Sequence, residues 1–205
     1  MQKVQRYLTD KELRIVHYFY EHDEGYVREI NQKIGLPQHT LLKYLKELEK
    51  KNILISQFKG NVKIFVLNKY NKLVPIIFSY FNYMELELLE YVRKKAIEDF
   101  REGIKKIKLP YFILLFGSST KGNYKESSDI DIIIIYDSIF NDTIKKINEL
   151  KKEITSIRGL TINYIVITLR EFLKEKENQQ NFALQDALVT GYPILGNNLY
   201  YEVTL

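Results

Sequence analysis

The segment Asp129-Ile130-Asp131, which opens a run of four isoleucines, constrains this chain more than any other. It reads as a strand reaching about Tyr136, and the two-residue period of a strand puts both carboxylates on one face at its mouth. Upstream, the apolar segment Tyr111–Phe116 reads as a buried strand, and Gly117-Ser118-Ser119 follows it where a tight turn presents backbone N–H groups to a phosphate. Hard oxygen ligands placed like Asp129 and Asp131 suit Mg²⁺, which takes one or two carboxylates and completes its shell with phosphate and water. A glycine-serine turn alone is usually only a turn, and two aspartates before a strand often serve to keep a sheet edge soluble. The two in sequence together point to a site.

The stretch Gly117-Ser-Ser-Thr-Lys-Gly122, followed by Ser128-Asp129-Ile130-Asp131, resembles the nucleotidyltransferase superfamily that includes DNA polymerase beta, most of all its small "minimal" prokaryotic branch. The resemblance runs from about Tyr111 to Gly196, where Gly191-Tyr-Pro-Ile-Leu-Gly196 looks like the phrase that closes many such domains. It implies a small mixed-sheet domain that moves a nucleoside monophosphate from ATP or another NTP to a hydroxyl acceptor with Mg²⁺. By the same resemblance Gly117, Ser118, Ser119, Lys121 and Ser128 hold the nucleotide, and Asp129 and Asp131 hold the metal. Family members act on antibiotics, nucleic-acid ends and protein tyrosines, including those of partner toxins in toxin–antitoxin pairs, so a partner protein is one expected acceptor. Lys121-Gly122 stands where the branch carries Arg-Gly, which keeps the charge and loses the bidentate fork.

The superfamily places a third carboxylate on a later strand, and the matching segment here is Leu160–Thr168, with Asn163 at that position. An amide oxygen touches a metal but takes no proton from an attacking hydroxyl, and loss of a general base costs on the order of 10² to 10⁴ in rate. The catalytic set is therefore read as Asp129, Asp131 and Asn163. Asp137, Asp142 and Glu153 are nearby carboxylates able to substitute, and the spacing selects none of them. Two functions stay open: an active nucleotidyltransferase, or a DNA-binding transcriptional regulator whose degenerate domain senses a nucleotide or holds a partner.

Composition narrows the setting. No cysteine is present, which removes disulfides and thiolate zinc sites, and all three histidines fall in the first fifth of the chain. No stretch reads as a signal peptide or approaches a membrane span, so no membrane partner and a cytoplasmic location are expected. The net charge of +5 is uneven, because residues 1–75 hold 14 Lys and Arg against 8 Asp and Glu. The basic excess lies wholly in that part, which points to a polyanion as partner.

Thr9-Asp-Lys-Glu12 has the form of a capping box and predicts a helix over 10–21, with Leu13, Val16 and Tyr20 on one face. A break at His22–Gly25 leads to a helix over 27–34. Gly35-Leu36-Pro37 turns into a third, over about 38–51, with Leu41, Leu45 and Leu48 inside. Residues 53–58 and 62–67 then read as a hairpin around Lys59-Gly60-Asn61. This order is that of a winged helix-turn-helix, and Leu45–Leu54 resembles the end of the recognition helix and first wing strand of prokaryotic winged-helix regulators. The resemblance, over about residues 8–68, implies double-stranded DNA as partner. Gln38, His39, Thr40 and Lys43 would meet bases and phosphates, Lys46 the backbone, and Lys59 and Lys63 would sit at the wing. A protein-binding winged helix with a solvated lysine face is the other reading.

The fold class expected is thus α+β: a winged helix of three helices plus a β-hairpin at 1–72, a connecting helix at 73–108, and a nucleotidyltransferase-like domain at 109–205. Pro75 marks a break, and residues 83–107 read as one long helix whose stripe Val92, Ala96, Phe100, Ile104 and Ile107 needs covering. The domain's own sheet is the usual cover; a second copy of the chain, as a homodimer, is the other. Helices are expected over 141–157, from Leu169, and over about 181–190, with the Asn163 strand after the first.

Overall fold

A computed structural model describes residues 7–126, 128–178 and 180–205, so the first six residues of the expected 1–72 domain lie outside it. The chain divides into two units between Phe81 and Asn82, a point inside a helix rather than in a linker.

In the first unit, α1 (Asp10–Glu21) begins where the sequence places it, because Thr9 and Glu12 close a reciprocal cap. The Thr9 N–H donates to Glu12 Oε2 at 2.8 Å and the Glu12 N–H to Thr9 Oγ1 at 3.3 Å. Lys51 Nζ, from the end of a later helix, donates to Glu12 Oε1 at 2.7 Å and ties that cap to distant sequence. Burial pushes the Glu12 carboxyl up, and the hydrogen bonds from Lys51 and Thr9 outweigh it, holding the group below its usual range.

Next come β1 (Glu24–Tyr26), α2 (Val27–Ile34), α3 (Gln38–Lys50), β2 (Leu54–Lys59) and β3 (Val62–Leu67). The strand β1 falls in the expected break. Its three residues carry no apolar run, and it forms because β3 offers an edge, pairing Gly25 with Phe65 in an antiparallel sheet of order β1-β3-β2. Glycine is needed there, since a Cβ would press on the Tyr18 ring. Leu41, Leu45 and Leu48 are fully buried on α3, as their helical spacing requires.

The single long helix expected over 83–107 is two helices, α4 (Leu73–Leu88) and α5 (Tyr91–Ile107). Pro75 does not break the chain. It lies in the first turn of α4, where its missing N–H costs nothing. Glu90 restarts the helix, its carboxylate accepting from the Val92 N–H at 3.4 Å. No helix among the described residues is long and apolar enough to cross a membrane.

The second unit holds β4 (Phe112–Phe116), a single turn α6 (Ser118–Lys121), β5 (Ile130–Tyr136), α7 (Asn141–Arg158) and β6 (Ile162–Thr168). It continues with α8 (Leu169–Asn178), α9 (Phe182–Thr190), β7 (Tyr192–Leu195) and α10 (Asn197–Thr204). The sheet order is β6-β5-β4-β7, with β5 and β6 parallel and the other pairs antiparallel. One face packs Ile113, Leu115, Ile132 and Ile134 against Ala96, Phe100 and Ile104, so the α5 stripe is covered by its own sheet, while Val92 is partly exposed. On the other face Phe112 meets the rings of Phe172 and Tyr200, with centroids 5.1 and 5.6 Å away. The isoleucine run is buried on both faces because helices cover both.

One expectation follows for the cap. Glu12→Gln speeds amide exchange through the first turn of α1, equivalent to a loss of about 1–2 kcal/mol at neutral pH. The native carboxylate has a lowered folded pKa, so its contribution is present above the ordinary value of 4.5 and fades as pH falls through the lowered one. Exchange rates of native and variant chains should therefore converge on acidification.

Candidate active site

Three strand ends build the site. Antiparallel pairing sets Phe116, the last residue of β4, opposite Asp131, and parallel pairing sets Asp131 opposite Asn163 on β6. Gly117 then leaves the sheet at φ 72°, ψ −146°, a conformation open essentially to glycine alone. A Cβ there would overlap Asp131 Oδ2, so the turn and the acid pair are in direct apposition. The turn is held by Thr120, whose N–H and Oγ1 donate to the Gly117 carbonyl at 3.3 and 2.9 Å.

Asn163 Nδ2 donates to Asp129 Oδ2 at 3.0 Å and to Asp131 Oδ1 at 3.5 Å. The amide at the third acidic position thus spans both carboxylates. Burial pushes the Asp131 carboxyl up; the Asn163 hydrogen bond opposes this, and the negative charges of Asp129 and Asp186 add to it. Among the described residues no group of three or more acidic, histidine or cysteine side chains is placed to hold a metal ion together. The convergent pair nonetheless fits a hard cation, since Mg²⁺ commonly takes only one or two carboxylates from protein.

The loop between α6 and β5 is fixed by Arg93 of α5, a fully buried side chain. Its Nη1 donates to Ser119 Oγ at 3.0 Å and to the Asp129 carbonyl at 3.3 Å. Its Nη2 donates to the carbonyls of Ser128 at 2.7 Å and Lys125 at 3.3 Å. The Tyr124 ring lies 4.3 Å from the guanidinium carbon. Burial pulls the Arg93 pKa down, against the opposing influence of Tyr124, Glu90, Asp129 and Asp131. One side chain therefore joins the glycine-serine turn to the aspartate pair.

Residues 97–188 match the family model of the nucleotidyltransferase domain. The match spans the turn, both aspartates and Asn163. No curated protein matches the chain. Among solved structures, AF1382 from Archaeoglobus fulgidus is 18% identical, covering 43% of this chain and 99% of its own, with a TM-score of 0.35. TrmBL2, described as an archaeal chromatin protein with a novel mode of DNA binding, is 16% identical, covering 86% of this chain and 73% of its own, with a TM-score of 0.31.

Within the matched region the expected residues divide. Gly117, Asp129, Asp131 and Asn163 meet, and half-buried Ser118 opens α6 beside them. The Ser119 side chain points inward to Arg93 instead of outward, and Ser128 Oγ accepts from the Lys125 N–H at 2.9 Å to close its own turn. Lys121 Nζ lies 2.8 and 3.2 Å from the two carboxylate oxygens of Asp186 on α9. The three substitute carboxylates lie elsewhere. Asp137 follows the far end of β5 and pairs with Lys108, which holds it down at about 2. Asp142 pairs with Lys146 on α7, and Glu153 lines a groove between α5 and α7.

Sequence reading missed Arg93 and Asp186. For Arg93 a signal existed: with Ala96, Ile97 and Phe100 it shares one helical face, and a cation on an apolar stripe needs a buried partner. For Asp186 there was none, since only the fold brings α9 to the turn.

In the first unit, Gln38, His39, Lys43 and Lys46 are exposed on α3, and Thr40 Oγ1 is 3.1 Å from His39 Nε2. Lys59 pairs with Glu24 at 2.8 Å and Lys63 with Glu49 at 3.5 Å, so both wing lysines already have acidic partners. A groove lined by Arg28, Gln32, Gln38, Asn61 and Lys63 runs between the start of α3 and the hairpin tip.

Replacing Arg93 by Ala removes one donor each from three loop carbonyls and a hydroxyl, a loss on the order of 3 kcal/mol. The measurable outcome is faster amide exchange at Lys125, Ser128 and Asp129. Unchanged exchange there would show that the loop does not depend on the arginine.

Proposed function

We propose that the second unit binds a nucleoside triphosphate with a divalent cation and transfers the nucleotidyl group to a hydroxyl acceptor, and that the first unit binds double-stranded DNA. The observation that carries the first half is the apposition of Gly117 with Asp131 beneath an amide that spans both aspartates. The Ser118–Ser119 backbone after Gly117 would receive phosphate oxygens. Asp129 and Asp131 would hold Mg²⁺, which when bound neutralises developing phosphate charge. Asn163 keeps the two carboxylates converging and contributes no base.

A second reading, nucleotide binding without turnover, is favoured by the same amide, because a neutral group replaces the expected acid. One experiment separates the two. The chain is incubated with α-labelled NTPs and Mg²⁺, and labelling and pyrophosphate release are followed. The native chain should turn over, and Asp131→Ala should abolish the signal. Asn163→Asp puts a third carboxylate opposite Asp131; the metal-free chain should melt lower, and Mg²⁺ should restore more stability than it does to the native chain. A silent native chain alongside an active Asn163→Asp variant would establish the non-catalytic reading.

For DNA, the support is the helix, strand, helix, helix, hairpin order of the first unit and its excess of lysine over acid. Duplex binding followed by fluorescence anisotropy should weaken linearly in log Kd with log salt. Replacing Lys43 and Lys46 together by Ala should lower the slope by roughly two. Binding indifferent to salt would overturn the assignment.

A further inference from the structure

Transfer to a hydroxyl releases a proton, and the residue at the usual accepting position is an amide. The three substitute acids suggested by sequence lie away from the site, in pairs or on α7. Asp186 remains. The end of α9 is seated on the end of β4: a Cβ at Gly191, the residue after α9, would meet the Ala187 and Leu115 carbonyls and Phe116 Cβ. Phe116 precedes Gly117, so α9 is anchored against the strand from which the turn departs. Asp186, one helical turn before Thr190, is reached by both contacts of Lys121 Nζ, the last residue of the short helix that begins in the turn. Its carboxylate is partly exposed, with 27% of the side chain accessible, so a proton it receives can pass to water.

We infer that Asp186 is the proton acceptor of this domain, held in reserve by Lys121 until a triphosphate draws the lysine away. This rests on the nucleotidyl-transfer reading above. In the free chain Lys121 Nζ occupies both carboxylate oxygens of Asp186. When a nucleotide occupies the turn, the ammonium exchanges one anion for another, moving from the carboxylate to phosphate oxygens. An exposed pair of this kind contributes little, so the exchange costs little. The acceptor oxygen then forms a bond to the α-phosphorus and the bond from that phosphorus to the β-bridging oxygen breaks. Pyrophosphate leaves with that electron pair, and the hydroxyl proton moves to a carboxylate oxygen of Asp186. The long-range influence of Asp186 on Asp131 agrees with its place at the rim of the site.

The test uses the full chain, Mg²⁺ and α-labelled ATP, GTP, CTP and UTP in turn, with water as acceptor, so the products are nucleoside monophosphate and pyrophosphate. Asp186→Asn should bind nucleotide within a few-fold of native and lose about 10²–10⁴ in single-turnover rate, and Asp186→Glu should recover part of it. Lys121→Ala should weaken nucleotide binding about tenfold and leave the single-turnover rate of the bound nucleotide within a few-fold of native, because Asp186 is then already free. Retained turnover in Asp186→Asn, beside an inactive Asp131→Ala, removes the base assignment and leaves the transfer reading standing. Parallel loss of binding and rate in Asp186→Asn assigns the residue a structural role and also overturns the inference. A native chain that is silent with all four nucleotides, or active despite Asp131→Ala, sinks the transfer reading and this inference together.

Discussion

A buried guanidinium organises the second unit. Arg93 has no carboxylate in hydrogen-bond contact; its charge is met by three main-chain carbonyls, one hydroxyl and the face of Tyr124. Its Nε alone lacks a partner among the described atoms. Burying a cation on dipoles is unfavourable unless those dipoles are fixed, and here they belong to the loop that the cation fixes. The two are mutually dependent. The fields of Asp129 and Asp131 favour the charged arginine, so the acid pair stabilises the side chain that positions it. A divalent ion between those aspartates would reduce that support, which couples occupancy of the site to the order of the loop.

Local chemistry was legible wherever it is also decisive. The reciprocal cap at Thr9 and Glu12 sets the start of α1, the helix over 27–34 has the bounds its pattern predicts, and β3 occupies the expected 62–67. The register that brings Asn163 opposite Asp131 follows from two apolar strands of equal length, each opening on an isoleucine followed by the polar residue. What was not legible depends on distant partners. The strand β1 exists only because β3 has a free edge, and the break after Leu88 depends on a Glu90 cap set among Leu88, Leu89, Tyr91 and Val92, which by themselves read as a continuing helix. Asp186 reads as one more surface acid until α9 is seated on β4. Ser119 reads as a phosphate ligand until a buried arginine claims its hydroxyl.

The basic excess of the first unit survives its internal ion pairs. Lys59 and Lys63 face Glu24 and Glu49 across the wing, but these pairs are exposed, and exposed pairs contribute little. A polyanion with closely spaced charges replaces such partners at small cost and gains counterion release in return. On the proposed DNA-binding reading the glutamates would tune selectivity more than affinity, since a phosphate backbone would compete with them and a weakly charged ligand would not.

Asn163 is best understood through what a carboxylate would do in its place. A third negative group within 3.0 and 3.5 Å of two others would be strongly unfavourable without a cation, and the empty site would spread or take up a proton. The amide does the reverse. Its N–H groups draw Asp129 and Asp131 together, so the pair keeps its convergent geometry in the absence of metal. The exchange is one of charge for preorganisation: the site gives up electrostatic grip on a cation and a nearby base, and gains an arrangement that forms on folding instead of on ligand binding. On the transfer reading proposed above, a domain built this way needs its proton acceptor on a different element, outside the repulsion of the pair, and a carboxylate held by its own lysine at the rim would meet that requirement.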